Sequence, residues 1–283
     1  SKTFRQPIER YKDKAAQKKL AQRIKPFLLR RTKENVAKDL PEKTSIIKMV
    51  ELEGAQRDLY ETVRLAMFGK VKDALSSKGL AKSQIIILDA LLKLRQVCCD
   101  PRLIGIPAAK KISSSVKLDL LMNMLDELLA EDRKILLFSQ FTSMLDLIIP
   151  ELEKRKISFV QVPGDTKDRL TPVKEFQDGR VPLFLLSLKA GGLGLNLTAA
   201  DTVIHYDPWW NPAVENQATD RAHRIGQTKS VFVFKLIAAG TIEERMLELQ
   251  EKKSAIAKGL YGDEDGLPFK ITAEDLDLLF KPL

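Results

Sequence analysis

The sequence predicts an α/β protein: a wound parallel sheet with helices on both faces, preceded by a mainly helical region. Two observations point there. From about Arg133 onward, short apolar runs alternate with amphipathic stretches, the pattern of strands joined by crossover helices. Before residue 115 the apolar residues recur mostly at helical spacing instead.

In the first region, "AQRDLYETVRLAM" sets Leu59, Val63 and Met67 on one helical face, and "IIILDALLKLRQVCC" reads as a further helical stretch. "TSIIKMVEL" (44–52) is the exception, a β-like run expected to join the sheet of the second region. Pro41 and "SSKGLAKS" mark loops, and "GIPAAKKISSS" (105–115) reads as the linker. The expected organisation is a mainly helical region at 1–115, a sheet-bearing lobe at 116–260 and an acidic, helical tail at 261–283.

Within the lobe, "KILLF" (134–138), "SFVQV" (158–162), "PLFLLS" (182–187), "TVIHY" (202–206) and "VFVFKLI" (231–237) read as strands, apolar almost throughout as doubly buried strands are. Helices are expected at 142–156, 166–178, 212–225 and 241–257. In the tail, helix is expected from Thr272, with Thr272 and Asp275 in N-cap and first-turn positions. Ligands of such a sheet sit beyond the carboxyl ends of its strands, so the loops there are where function is sought.

Length and composition bound the rest. With 283 residues and 44% hydrophobic content, the chain can bury a sizeable core. The net charge of +9 favours a polyanionic partner. Residues 1–120 hold 27 lysines and arginines against 13 acidic residues, leaving 20 against 25 for the remainder. The only cysteines, Cys98 and Cys99, are adjacent in an apolar run, which suits neither a disulfide framework nor, with His205 and His223, a zinc site. No metal-binding residues are predicted. No apolar stretch is long enough to span a bilayer, and no leader precedes Ser1. An intracellular protein with no membrane partner is expected.

Three stretches could carry chemistry. "SLKAGGLGLNL" follows a strand, and Gly191, Gly192 and Gly194 would let backbone approach a phosphate, with Ser187 and Lys189 nearby. It is neither GxxxxGK[ST] nor GxGxxG, and ordinary loop punctuation remains an equal reading. "HYDPWWNP" sets two tryptophans between prolines. One ring is expected to close the core and the other to remain available to a partner. In "ATDRAHRIGQ", a helix would put Gln217, Arg221 and Arg224 on one face, with Ala218, Ala222 and Ile225 toward the sheet. That face is either a solvated edge paired with Glu215 and Asp220 or a pair of guanidiniums aimed at an anion.

"RIKPFLLRRTKENVAKDLPEKT", "ILLFSQFTSMLDLI", "SLKAGGLGLNLTAADTVIHYDPWWNP" and "DRAHRIGQTKSVFVFKLIAAGTIEERM" resemble the consecutive signature blocks of the SWI/SNF-type DNA translocases, a branch of the superfamily 2 helicase-like ATPases. The resemblance runs from about residue 4 to residue 257, and the wording around the double Trp is most like bacterial members. It implies a RecA-like sheet, the second of two lobes that bind ATP between them and move along double-stranded DNA. Gln217, Arg221 and Arg224 would face the γ-phosphate as catalytic groups. Gly194 and Asn196 would lie at the nucleotide edge. Ser187, Lys189, Trp210, Ser139, Gln140, Gly164 and Thr166 would meet DNA.

There are two departures. Val162-Pro163-Gly164 stands where relatives have Leu-Asp-Gly, so an acid is replaced by a residue with no donor. No GxxxxGK[ST] loop or Asp-Glu-x-His pair occurs, so ATP and Mg²⁺ would be held mainly by an absent first lobe, and the chain alone is expected to be inactive. The expected partners are that N-terminal lobe, double-stranded DNA and DNA-bound proteins. A non-catalytic DNA-binding or scaffold module and an RNA helicase lobe are the competing readings. The arginines disfavour the first, and the double Trp and "DRAHRIGQ" the second. Arg30, Arg31 and Lys33 are expected nearer the lobe junction than DNA.

Overall fold

The computed structural model describes residues 40–107, 109–113, 115–162, 168, 170–188, 195–261 and 272–283, with a few single positions before residue 24 and with the side chains of 254–261 excepted. The chain divides into two compact units, 1–40 and 41–283. Every element below belongs to the second.

β1 (Lys43–Val50) leads into α1 (Gly54–Cys99), which is broken once, at Gly79. The φ of +71° there is open to glycine and costly to other residues. Beyond it the helix runs back along itself: Gln56 Nε2 donates to the Val97 carbonyl at 2.8 Å, and the Ser83 hydroxyl to the Ala74 carbonyl at 2.9 Å. The "SSKGLAKS" loop is therefore the tip of a helical hairpin. Leu59, Val63 and Met67 are buried on its inner face, as their spacing predicts.

α2 (Val116–Ala130), β2 (Ile135–Ser139), α3 (Thr142–Lys154), β3 (Phe159–Gln161), α4 (Leu170–Gln177), β4 (Leu183–Ser187), β5 (Thr202–His205), α5 (Pro212–Thr219), β6 (Val231–Ala238), α6 (Ile242–Tyr261) and α7 (Ala273–Leu279) follow. The six strands form one sheet in the order β1-β6-β5-β2-β4-β3, and every pairing is parallel. The run at 44–52 does join the sheet, as its edge strand against β6.

Strand alternation divides the core. Ile135, Leu137, Leu183, Leu185 and Ile204 pack with α2 and α3, whereas Leu136, Phe138, Phe184 and Val203 pack with Phe176 of α4 and Ala218 of α5. A third cluster joins the hairpin to α6 and α7. The tail belongs to it: Thr272 and Asp275 form a reciprocal capping box, Phe280 stacks on Phe68 at 5.4 Å, and Arg64 Nη1 donates to the Phe280 carbonyl at 2.9 Å.

Cys98 and Cys99 are free, wholly buried thiols. Burial pushes both above the ordinary thiol value, so neither is a ready nucleophile. Lys117 and Glu243 form an ion pair with both side chains fully buried. Burial opposes the Lys117 charge, but the Glu243 carboxylate prevails and holds its pKa above the ordinary value. No helix among the described residues is long and apolar enough to cross a membrane.

Candidate functional site

The chain passes from β2 out to β3, back to β4, and then across to β5 on the other side of β2. The carboxyl ends of β2, β4 and β5 therefore lie side by side along the carboxyl edge of the sheet. Ser139 and Ser187 are register partners there, and Tyr206 N–H donates to the Phe138 carbonyl at 2.9 Å.

The first half of this edge centres on Asp207, which is fully buried. Its Oδ1 accepts the Ser139 hydroxyl at 2.6 Å and the Gln140 N–H at 3.2 Å. The Ser139 hydroxyl in turn accepts the Phe141 N–H at 3.1 Å. From the hairpin, Arg95 places Nη2 3.7 Å from Asp207 Oδ2 and donates to the Pro208 carbonyl. Burial pushes the Asp207 carboxyl up to about 6, against the lowering effects of Arg95 and Ser139. Ser139 is itself fully buried, so in this arrangement its hydroxyl holds the loop. Gln140 is half-buried, and its side-chain Nε2 has no partner among the described residues.

The tryptophan loop is anchored further along. Trp209 N–H donates to Glu215 Oε1 at 2.7 Å, and Gln250 Nε2 donates to the Trp209 and Trp210 carbonyls at 2.6 and 3.0 Å. The two rings do not divide as expected. Both are half-buried, Trp209 against the α4–α5 side of the core and Trp210 against the hairpin cluster.

The second half of the edge is the arginine segment, and here the helical reading is corrected. Asn211 caps α5, accepting from Ala213 N–H at 3.0 Å, with Pro212 at the first helical position. The helix ends at Thr219 rather than 225, and two carbonyls beyond its end have partners outside a helical ladder. Arg221 O accepts Leu197 N–H at 3.0 Å, and Ala222 O accepts Gln227 Nε2 at 3.0 Å. Ile225 is 73% exposed, not turned toward the sheet. Glu215 does not pair with the arginines either. It is buried and bonded to Lys235 Nζ at 2.5 Å.

Gln227 fixes this turn. Its amide also donates to the carbonyls of Thr198 (3.1 Å) and Ala200 (2.7 Å), while its Oε1 accepts the N–H groups of Thr228 and Lys229. The φ of +101° at Gly226 makes the turn possible. His223 Nε2 donates to the Pro41 carbonyl at 2.8 Å.

In this turn Gln217 and Arg224 are exposed, whereas Arg221 is 8% exposed. Burial, and then the Arg224 charge, lower the Arg221 pKa. The Leu197–Arg221 bond brings exposed Asn196 beside the arginines, and Gln177 Nε2 donates to the Asn196 carbonyl at 3.1 Å. Neighbouring cations next to the Asn196–Leu197 backbone suit a phosphate-like anion. The described residues bring together no group of three or more His, Cys, Asp or Glu side chains that could hold a metal ion.

Lys189, Gly194, Gly164 and Thr166 lie outside the described residues, as do Pro163, Arg30, Arg31 and Lys33. Ser187 is half-buried at the end of β4. Asp207, Arg95, Gln227 and Gln250 were not anticipated. A signal for Arg95 existed: it interrupts the buried helical stripe of Leu91, Leu94 and Cys98, where an arginine needs a partner.

Two family models match the chain: Helicase conserved C-terminal domain, over residues 116–226, and SNF2-related domain, over residues 1–103. An uncharacterized ATP-dependent helicase of Mycoplasma genitalium is 38% identical over 283 residues, covering 99% of this chain and 27% of that protein. The solved C-terminal domain of the Sulfolobus solfataricus SWI2/SNF2 ATPase is 30% identical, with 86% of this chain and 100% of that one covered and a TM-score of 0.63. The core of that ATPase in complex with dsDNA is 33% identical, with 98% and 58% covered and a TM-score of 0.66. The chain thus spans about a quarter of the Mycoplasma relative's length.

Proposed function

We propose, since the chain belongs to the SWI2/SNF2 family of ATPases and is its C-terminal helicase lobe, that it is one half of an ATP-driven motor on double-stranded DNA inside the cell. The observation that carries this reading is the arginine turn: the Arg221 carbonyl accepts the Leu197 N–H, beside exposed Asn196, and the Arg224 charge acts on Arg221. Two cations held close are stabilised when an anion lies between them.

ATP supplies the γ-phosphate, whose transfer to water releases the driving energy. In this reading Arg221 and Arg224 neutralise charge on that phosphate from across a cleft, Gln217 orients beside them, and Asn196 and Gly194 line the nucleotide edge. Mg²⁺ and the phosphate cradle belong to the partner lobe. Gln140, Trp210, Ser187, Lys189, Gly164 and Thr166 face the duplex backbone, and Ser139 acts by linking Asp207 to the Phe141 N–H. Residues 116–260 are the lobe, 1–115 the inter-lobe and insertion region, and 261–283 a tail. Movement along the duplex displaces or remodels DNA-bound proteins. The dsDNA complex of the Sulfolobus ATPase core supports a duplex as substrate.

The test uses the two-lobe protein. Arg221→Ala lowers duplex-stimulated ATP turnover by roughly 10³-fold, as loss of an arginine finger does, with duplex affinity nearly unchanged. Turnover that survives the substitution removes the arginines from the reaction and leaves a scaffold lobe.

A further inference from the structure

We propose that Asp207 and Arg95 are positioning residues for the DNA-facing edge. The Asp207 carboxylate holds the loop after β2 and the tryptophan loop in one register, and Arg95 ties both to the helical hairpin. This rests on the reading that those loops face duplex DNA.

The geometry is closed on itself. Asp207 belongs to the chain leaving β5, yet its carboxylate is occupied by the loop leaving β2: the Ser139 hydroxyl and Gln140 N–H on Oδ1, and the Gln140 N–H again on Oδ2 at 3.3 Å. Ser139 passes the connection to Phe141 N–H. Arg95 closes the circuit, with one nitrogen serving the Pro208 carbonyl and facing Asp207, and its guanidinium 5.9 Å from the Phe141 ring centroid.

Arg95 is 3% exposed, and Asp207 and Ser139 are 0% exposed. Burying two charges is costly, and apolar residues commonly fill such volume with no loss of stability. The sheet does not require these groups for pairing, since β2 and β5 are already joined along their length. What the carboxylate adds is directional: it fixes the Gln140 backbone against the chain that leads into the tryptophan loop. The tryptophan loop keeps separate anchors in Gln250 and Glu215. Loss of Asp207 therefore frees the relation between the two loops without releasing both.

The experiment compares wild-type chain, Asp207→Asn, Arg95→Lys and Arg95→Gln by amide hydrogen exchange and by binding to a random-sequence duplex across a salt series. Asp207→Asn keeps an oxygen for Ser139 but turns an amide nitrogen toward Arg95. The expected result is at least tenfold faster exchange at Gln140 and Phe141, with about tenfold weaker duplex binding and an unchanged salt slope, because no phosphate contact is removed. Arg95→Lys keeps the charge and loses the reach to both acceptors, giving a smaller change of the same kind, and it decides the matter if the asparagine variant does not fold. Unchanged exchange at Gln140 and Phe141 overturns the proposal. So does a salt slope reduced by about one in Arg95→Gln, which removes the charge and so marks a direct phosphate contact. If wild type itself holds no duplex, the DNA reading fails, while exchange at Gln140 still decides whether Asp207 holds the loop.

Discussion

The two halves of the carboxyl edge are built in opposite ways. Around Asp207, the polar side chains are turned inward: Ser139 and Arg95 are buried, and each meets the buried Asp207 carboxylate. Around Gln227, backbone carbonyls and one inward amide make the turn, and Gln217, Arg224 and Asn196 are left facing outward. In the proposed reading the first half aligns loops and the second presents charge. A residue's chemistry therefore does not by itself say whether it acts or positions. Ser139 and Asn196 are both small polar groups after strands, yet only one is exposed.

The largest stability effect is expected behind the aligning half. Lys117 stands 5.6 Å from the centre of the Tyr206 ring, next in sequence to Asp207, and its ammonium is buried against Glu243. Glu243→Ala leaves that charge unpaired and is expected to destabilise the fold by about 3–5 kcal/mol, measured by urea unfolding. A loss below about 1 kcal/mol would mean that the pair is not buried as described.

On the presenting half, Gln227→Ala removes an amide serving three carbonyls and two N–H groups. It is expected to cost about 2–3 kcal/mol and to lower turnover of the two-lobe protein by displacing Arg221 and Arg224. Full turnover in a destabilised variant would detach the turn from the chemistry.

His205 lies beneath both halves, fully buried with Nε2 3.0 Å from the Thr219 hydroxyl. Burial pulls its pKa down to about 4; nearby Glu215 opposes that and Lys235 adds to it. The unfolded chain therefore binds this proton more readily, and the stability from neutral His205 is present above its unfolded value and lost as pH falls toward 4. Between pH 7 and 5, wild type should lose about 2 kcal/mol relative to His205→Gln. Because Asp207, raised to about 6, titrates with the opposite sign in both proteins, the difference between them is the quantity to measure. A pH-independent difference would place the imidazole in contact with solvent.

The smallest effect is expected at Gly226, where φ is +101°. Among the described residues nothing lies within 4 Å of an added Cβ, so Gly226→Ala reports backbone strain, about 1 kcal/mol, read from urea unfolding.

These halves were not equally legible in the sequence. Parallel strands buried on both sides are apolar throughout, so "PLFLLS" and "TVIHY" announced themselves within a residue of their ends. The helix after Asn211 was read six residues too long because Ala218 and Ala222 do face the core. Beyond its end the Arg221 carbonyl is taken by Leu197, a tertiary contact that leaves no local pattern. Arg221 and Arg224 could be found from the motif, and the shape of the turn could not. Asp207 stands within "HYDPWWNP", but a sequence shows a carboxylate without showing that three elements converge on it.

The division of labour is tested most directly in the two-lobe protein, by measuring ATP turnover against duplex concentration for Arg224→Ala and Asp207→Asn. Arg224→Ala is expected to lower the maximal rate by roughly 10³-fold with the half-saturating duplex concentration unchanged, while Asp207→Asn raises that concentration about tenfold. If both variants move the maximal rate and the half-saturating concentration in the same proportion, the edge is a single site and the distinction between aligning and presenting halves is wrong.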